Sequence, residues 1–125
     1  MIVLDSTVLI DLLRGNLAAH RALEEVSARQ ERKMCSVVSK VELLAGMRTH
    51  EESDIRVFFG TLEWIPVDDD IAELAGTLAN QFFRAFPGVD TQDYIIAATA
   101  MHSNASLWTL NVKHFPMFEN LVRPY

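Results

Sequence analysis

The chain has 125 residues, of which 50% are hydrophobic and 22% charged, and its formal net charge is −6 at pH 7. This size and apolar content predict one domain, residues 1–125, with a hydrophobic core and no room for a second domain. The N-terminal apolar run has no basic flank, contains Asp5 and Asp11, and stops at Arg14, which argues against a signal peptide or a membrane span. We therefore expect a cytoplasmic protein without a membrane partner.

The single cysteine, Cys35, excludes an internal disulfide and a thiolate zinc site. We expect it to be a small buried hydrophobe. The negative net charge argues at first against a nucleic-acid partner, because affinity for phosphates comes mostly from Lys and Arg. One or two bound divalent cations would reverse the local field, so the net charge leaves the class of partner open.

Short β-like apolar runs alternate with segments of helical periodicity along the whole chain. The predicted strands cover residues 2–4, 34–38, 64–67 and 106–110, with a last short strand at 121–122. The predicted helices cover residues 8–13, a segment capped by Asn16, a segment from Ser39, a segment from Thr49 to near Gly60, a segment from Asp70 to Pro87, and residues 91–101. Strands alternating with helices predict an α/β fold with a mostly parallel central sheet flanked by helices.

Helix starts are predicted from residues that cap free backbone N–H groups. Asn16 is of the preferred N-cap type, while Thr49 with Glu52 has the spacing of a capping box. Asp70 with Glu73 has the same spacing and is expected to open the long helix that follows the third strand.

Three acidic residues stand alone inside apolar segments: Asp5 in MIVLDSTVLI, Glu42 in SKVELLAG and Asp93 in TQDYIIAATA. Burying a carboxylate is costly unless it is paired, hydrogen-bonded or bound to a metal. Ligands of parallel sheets bind beyond the carboxyl ends of the strands. Asp5 and Asn111 follow predicted strands directly, and Glu42 and Asp93 lie in the helices nearby, so we expect all four at one crevice.

Each acid also has an ordinary explanation. Asp5 is a possible helix cap, Glu42 stands three residues after Ser39 as in a capping box, and Asp93 lies where a helix dipole favours negative charge. Clustering without a cation is unfavourable, since two carboxylates about 4 Å apart repel by roughly 4 kcal/mol at an effective dielectric of 20. Oxygen ligands favour Mg²⁺ or Mn²⁺, and the four histidines are scattered, with His114 nearest to Asn111.

The segments LDSTVLIDLL, SKVELLAG, QDYIIAATA and TLNVKHF follow one another as the motifs of the PIN domain do. The chain resembles VapC-type toxin ribonucleases of bacterial toxin–antitoxin pairs over nearly its whole length. The resemblance implies a PIN-like three-layer fold and a set of site residues: the catalytic and metal-binding acids Asp5, Glu42 and Asp93, and the supporting residues Asn111, Thr7 and Thr109.

The chain departs from the family pattern at Asn111, where many members have an aspartate. The fourth ligand is therefore uncharged, which predicts weaker binding of Mg²⁺ and makes a second metal less expected. Asp90, one helical turn before Asp93, is either an additional ligand or a loop or cap residue, and the second interpretation is favoured.

The resemblance implies a Mg²⁺- or Mn²⁺-dependent endoribonuclease that hydrolyses an RNA phosphodiester and leaves a 3′-hydroxyl and a 5′-phosphate. It also implies an antitoxin whose C-terminal segment covers a groove on the toxin and directs an arginine at the acidic site. The basic residues available to hold RNA are Arg14, Lys40, Arg48 and Lys113. An apolar surplus predicts a homodimer, with core packing as the alternative: Phe82, Phe83, Phe86, Phe115, Met117 and Phe118.

Two other functions fit part of this sequence pattern. A phosphatase of the haloacid-dehalogenase class also has an aspartate after its first strand, but it requires a second aspartate two residues later, where this chain has Thr7. The other alternative is a catalytically weak or inactive PIN-fold module that binds an antitoxin or RNA, and the neutral Asn111 is the feature that favours it.

Overall fold

The centre of the fold is a sheet of four parallel strands in the order β3-β2-β1-β4, in a computed structural model that describes residues 1–125. The strands are β1 (Ile2–Leu4), β2 (Lys33–Ser36), β3 (Glu63–Ile65) and β4 (Ser106–Trp108). The helices are α1 (Ser6–Leu13), α2 (Leu17–Ala28), α3 (Val38–Gly46), α4 (Glu52–Phe59), α5 (Asp69–Phe82) and α6 (Thr91–His102). Two 3₁₀ turns lie at Thr49–Glu51 and Val112–His114.

The sheet separates two hydrophobic clusters, so the protein has three layers. Side chains of a strand alternate between the two faces of a sheet. Val3 accordingly packs with residues of α5 and α6, while Ile2 and Leu4 pack with residues of α1 to α4. The predicted α/β fold is confirmed, and the sheet is wholly parallel rather than mostly parallel. None of the helices has both the length and the apolar character needed to cross a membrane.

Three predicted strands end earlier than their apolar patterns suggest. β2 stops at Ser36 because α3 begins two residues later, and β3 stops at Ile65, directly before Pro66, which has no N–H to donate to a sheet. β4 stops at Trp108 because the next amide groups bond to side chains. The predicted strand at 121–122 is wrong. Asn120 has a positive φ of 59° and Pro124 follows closely, so too little extended chain is left for a ladder.

Capping explains most of the helix starts, although some predicted caps are wrong. Asn16 caps α2 as predicted, accepting from Ala19 N at 3.0 Å. The box predicted between Thr49 and Glu52 lies one residue earlier, where Glu51 Oε1 accepts from Arg48 N at 2.8 Å.

The start of α3 also differs from the prediction. The helix begins at Val38, whose N–H donates to Ser36 Oγ at 3.3 Å, so Ser39 does not form a capping box with Glu42. Ser39 is instead completely buried, and its hydroxyl has no hydrogen-bond partner.

The predicted apolar surplus is mostly used inside the fold. Phe115 is 1% exposed, and Phe82, Met117 and Phe118 pack against the cluster beside α5 and α6. Phe83 and Phe86 remain exposed at 45% and 42%. Core packing therefore accounts for four of the six residues, and the argument for a dimer is reduced to the two phenylalanines that follow α5.

The cap of α5 generates a stability prediction. Asp68, not Asp70, is the N-cap, and its Oδ1 accepts from Ile71 N at 2.9 Å. We expect Asp68→Ala to lower the free energy of unfolding by about 1 kcal/mol, because the Ile71 N–H loses its partner. Asp69→Ala is the matched control, since it removes the same charge from the adjacent position without removing the cap. Equal losses in urea titrations of the two variants would contradict this assignment.

Cys35 generates a reactivity prediction. It is completely buried between the sheet and α1 to α4, as expected, and burial raises the pKa of its thiol to about 12. Because the thiolate is the reactive form, native protein at pH 8 should not react with Ellman's reagent, while protein unfolded in guanidinium should release one equivalent. Rapid labelling of native protein would show that this strand is open to solvent.

Candidate functional site

Asp5 lies directly after β1 and is 3% exposed. Its Oδ1 accepts from Ser6 N at 2.8 Å, which caps α1. Its Oδ2 accepts from Thr7 Oγ1 at 2.9 Å and from Thr109 Oγ1 at 2.7 Å. Asp5 therefore caps α1 as one interpretation of the sequence suggested, but the cap uses Oδ1 only. The other oxygen, Oδ2, accepts hydrogen bonds from two threonine hydroxyl groups.

The chain beyond β4 is shaped by those same hydroxyl groups. Leu110 N donates to Thr7 Oγ1 at 3.1 Å, and Asn111 N donates to Thr109 Oγ1 at 2.9 Å. Thr7 and Thr109 therefore connect Asp5 to the segment that carries Asn111. The Asn111 side chain is exposed and has no hydrogen-bond partner within the protein.

Asp93 lies in the first turn of α6 with its side chain 13% exposed. Its Oδ2 accepts from Asp90 N at 3.1 Å and lies 3.0 Å from His114 Nδ1, while its Oδ1 has no partner. Burial, together with the nearby Asp90 charge, raises the pKa of Asp93 to about 6, although two favourable contacts, with the Asp90 backbone and with His114, oppose the increase. Asp90 itself is the helix cap, as favoured from the sequence, and accepts from Asp93 N at 2.9 Å.

Glu42 lies on α3, beside a groove of about 110 Å³ between α1, α3 and α4. Its side chain is half-buried and makes neither a hydrogen bond nor an ion pair. Arg14 and Glu51 are the other charged residues of the groove, and most of the remaining lining is apolar: Ile10, Leu13, Leu43, Gly46, Met47 and Ile55. The orphaned Ser39 hydroxyl lies one helical turn before Glu42, on the same side of α3.

The predicted site residues are brought together only in part. Residues 109–114 link Asp5 to Asp93, because the segment begins with the Thr109 bond to Asp5 and ends with the His114 bond to Asp93. Glu42 makes no hydrogen bond and is not part of this linkage. The ligand atoms of the three acids do not all come within 4.8 Å of one another.

A different set of three residues does converge within that distance: Asp68, Asp70 and His102, at the start of α5 and the end of α6. All three are exposed. Asp68 is already explained as a helix cap.

The oxygen groups near the strand ends suit a hard divalent cation. Asp93 Oδ1 and the Glu42 carboxylate are free of protein partners, and Asn111 adds an exposed amide. The buried Ser39 hydroxyl, one helical turn before Glu42, is a further oxygen without a protein partner. These oxygen donors are the types that bind Mg²⁺ or Mn²⁺.

The basic residues named from the sequence have different surroundings. Lys40 Nζ lies 4.7 Å from the centre of the Trp64 ring and 5.7 Å from that of Phe59. Arg14 lines the groove beside Glu42, whereas Arg48 and Lys113 are exposed. Lys40 is therefore already engaged in cation–π contacts, which leaves Arg14, Arg48 and Lys113 free.

The contact between His114 and Asp93 was not predicted from the sequence. The place of His114 three residues after Asn111 in TLNVKHF is the only signal in the sequence. Its contact with Asp93, 21 residues away, depends on the path of the chain after β4.

Comparison with known proteins identifies the fold and the relatives of this chain. A family model described as the PIN domain matches residues 2–115. The ribonuclease VapC19 of Mycobacterium tuberculosis is 42% identical over 125 residues, which cover 100% of both chains. The ribonuclease VapC10 of the same organism is 43% identical over 126 residues, covering 100% of this chain and 93% of that one.

Solved structures agree with this comparison. A chain of a toxin–antitoxin complex from Klebsiella pneumoniae matches with a TM-score of 0.83 and 30% identity, covering 100% of this chain and 98% of that one. A chain of VapBC2 from Rickettsia felis, bound to a promoter DNA fragment, has a TM-score of 0.82 at 23% identity, with 98% and 97% covered. The fold, the order of the motifs and the full-length relatives agree, and the chain therefore belongs to the PIN-domain family.

Proposed function

We propose that this protein is a single PIN domain, residues 1–125, that acts as the toxin of a VapBC-type pair by hydrolysing RNA phosphodiester bonds with Mg²⁺ or Mn²⁺. The observation that carries the proposal is the linkage of Asp5 to Asp93 through residues 109–114 at the strand ends. Full-length relatives named as ribonucleases support the reaction, since the match to each covers 100% of this chain.

The three acidic residues have different roles in such a site. Asp5 is fixed by its hydroxyl and amide donors, so its carboxylate keeps one orientation. Asp93 uses Oδ2 in its helix cap and keeps Oδ1 without a protein partner, and Glu42 is available to accept a proton from water or to orient that water. A divalent cation bound by these acids supplies Lewis-acid stabilisation of the phosphate and a more acidic water.

The neutral Asn111 favours one cation over two. It offers an amide oxygen in place of a carboxylate, and each lost negative charge weakens the attraction for a second divalent ion. Arg14, Arg48 and Lys113 are the cations available to contact the RNA backbone, and the products are expected to carry a 3′-hydroxyl and a 5′-phosphate.

A catalytically inactive binding module remains the second candidate. The observations that favour it are the uncharged Asn111 and the three acids' ligand atoms, which do not all come within 4.8 Å of one another. Such a module would bind RNA or an antitoxin without cutting RNA at any concentration of Mn²⁺, so a cleavage assay separates the two functions.

The catalytic proposal is tested by conservative removal of charge. We expect Asp5→Asn and Asp93→Asn to lower the rate of RNA cleavage about 100-fold or more, because a loss of about 3 kcal/mol of transition-state stabilisation has that effect. EDTA should abolish cleavage, and added Mn²⁺ or Mg²⁺ should restore it. Asp69→Asn is the matched control, since Asp69 is exposed in the first turn of α5 and is not one of the strand-end acids.

Circular dichroism melts would establish that each variant is folded. Cleavage by folded Asp93→Asn at the rate of the unmodified protein would contradict the assignment of the site. Cleavage that persists in EDTA would contradict the metal dependence alone.

We further propose that an antitoxin segment occupies the groove beside Glu42. Its lining is mostly apolar, and its charged residues, Glu42, Glu51 and Arg14, give it a net negative charge. An apolar helical segment that carries an arginine has the matching chemistry. Structures of related chains are toxin–antitoxin complexes, which supports this partner.

The partner proposal is tested by placing a charge in the groove. The candidate antitoxin is the product of a small open reading frame adjoining the gene, and we expect it to copurify with the toxin and to block toxicity. Met47→Glu should abolish copurification, because it places a carboxylate against the apolar segment. Val57→Glu is the matched control, since Val57 is 72% exposed on α4 and outside the groove. Equal copurification of both variants would contradict this location.

A further inference from the structure

The contact between His114 and Asp93 is the side-chain hydrogen bond that joins the segment after β4 to the first turn of α6. His114 Nδ1 lies 3.0 Å from Asp93 Oδ2. The same segment begins at Thr109, whose hydroxyl donates to Asp5 Oδ2 at 2.7 Å. His114 therefore occupies the far end of a connected path between the two strand-end acids.

The direction of this hydrogen bond follows from the chemistry of its partners. An ionised carboxylate has acceptors only, so Nδ1 must carry the proton that it donates to Oδ2. Oδ2 also accepts from Asp90 N at 3.1 Å. Both donors act on the same oxygen, which fixes the plane of the carboxylate and leaves Oδ1 as the oxygen that is free for an external ligand.

The His114 side chain is not needed for packing. It is 37% exposed, and the neighbouring Phe115, at 1% exposed, supplies the core contact of this segment. The turn is held by its backbone, since His114 N donates to Asn111 O at 2.9 Å. The imidazole thus has one protein partner, Asp93, and truncating it removes that hydrogen bond without opening the core.

We propose that His114 is a positioning residue for Asp93, orienting its free oxygen toward a divalent cation. This inference rests on the proposed function, because it assumes that Asp93 binds the metal. Partners of this kind orient metal-binding carboxylates and histidines, and losing one costs about 10- to 100-fold in metal affinity or activity.

The test measures Mn²⁺ affinity by calorimetry, without RNA. All proteins carry Asp70→Asn, which removes one acid of the exposed set at the start of α5 and so eliminates that set as a competing site. We expect His114→Ala to weaken Mn²⁺ binding by about 10- to 100-fold. His114→Asn should restore most of the affinity, because its amide N–H can replace Nδ1 at the same distance from the backbone. His50→Ala, at an exposed histidine without a hydrogen bond, should bind as the parent does.

Three results distinguish failure of this inference from failure of the proposed function. Parent-like affinity of His114→Ala would overturn the positioning role, and so would His114→Asn as weak as His114→Ala. Parent-like affinity of Asp93→Asn would instead overturn the metal site itself.

A second measurement is independent of metal. In ¹⁵N-histidine-labelled protein at pH 8, the imidazole nitrogen shifts should show His114 with its proton on Nδ1. A proton on Nε2 alone would overturn the inferred hydrogen bond.

Discussion

The hydrogen bond from Thr109 Oγ1 to Asp5 Oδ2 is the interaction on which the rest of this site depends. It spans 2.7 Å and joins residues 104 positions apart, at the ends of β1 and β4. Burying the Asp5 carboxylate would be costly without such donors. With these donors, the buried Asp5 carboxylate marks the end of β1 and caps the start of α1. Through Thr109 it also fixes the end of β4 and the path of the following segment towards α6. His114 reaches Asp93 only because that segment takes this path.

The sequence predicts the architecture because its two periodicities are strong. Ile2, Val3 and Leu4 alternate between the two hydrophobic clusters, and α6 is buried almost all round, as its continuous apolar pattern indicates. Boundaries are predicted less well, since they depend on hydrogen bonds that a pattern does not contain. β4 is shorter than its apolar run because two threonine hydroxyls accept from the next backbone N–H groups. Similarly, the sequence does not indicate which of the three consecutive aspartates, residues 68–70, caps α5.

The site was predictable to the extent that its residues follow strands or begin helices. Asp5 and Asp93 have ordinary capping roles and also lie at one edge of the sheet, so the two interpretations of each residue are compatible. Glu42 belongs to the same series of sequence motifs, but it is not part of the hydrogen-bond network of Asp5 and Asp93. It instead lines the groove that we propose for an antitoxin segment. His114 could not be assigned from spacing, because its role depends on where the chain goes after β4.

The central claim is that the strand-end acids, and not another acidic group, bind the divalent cation. Anomalous scattering from crystals soaked in Mn²⁺ tests it most directly, because it locates the ion without assuming any activity. The account predicts a peak at the strand ends, within coordination distance of Asp93 Oδ1. A peak only between Asp68, Asp70 and His102, where three ligand atoms already lie within 4.8 Å of one another, would contradict it.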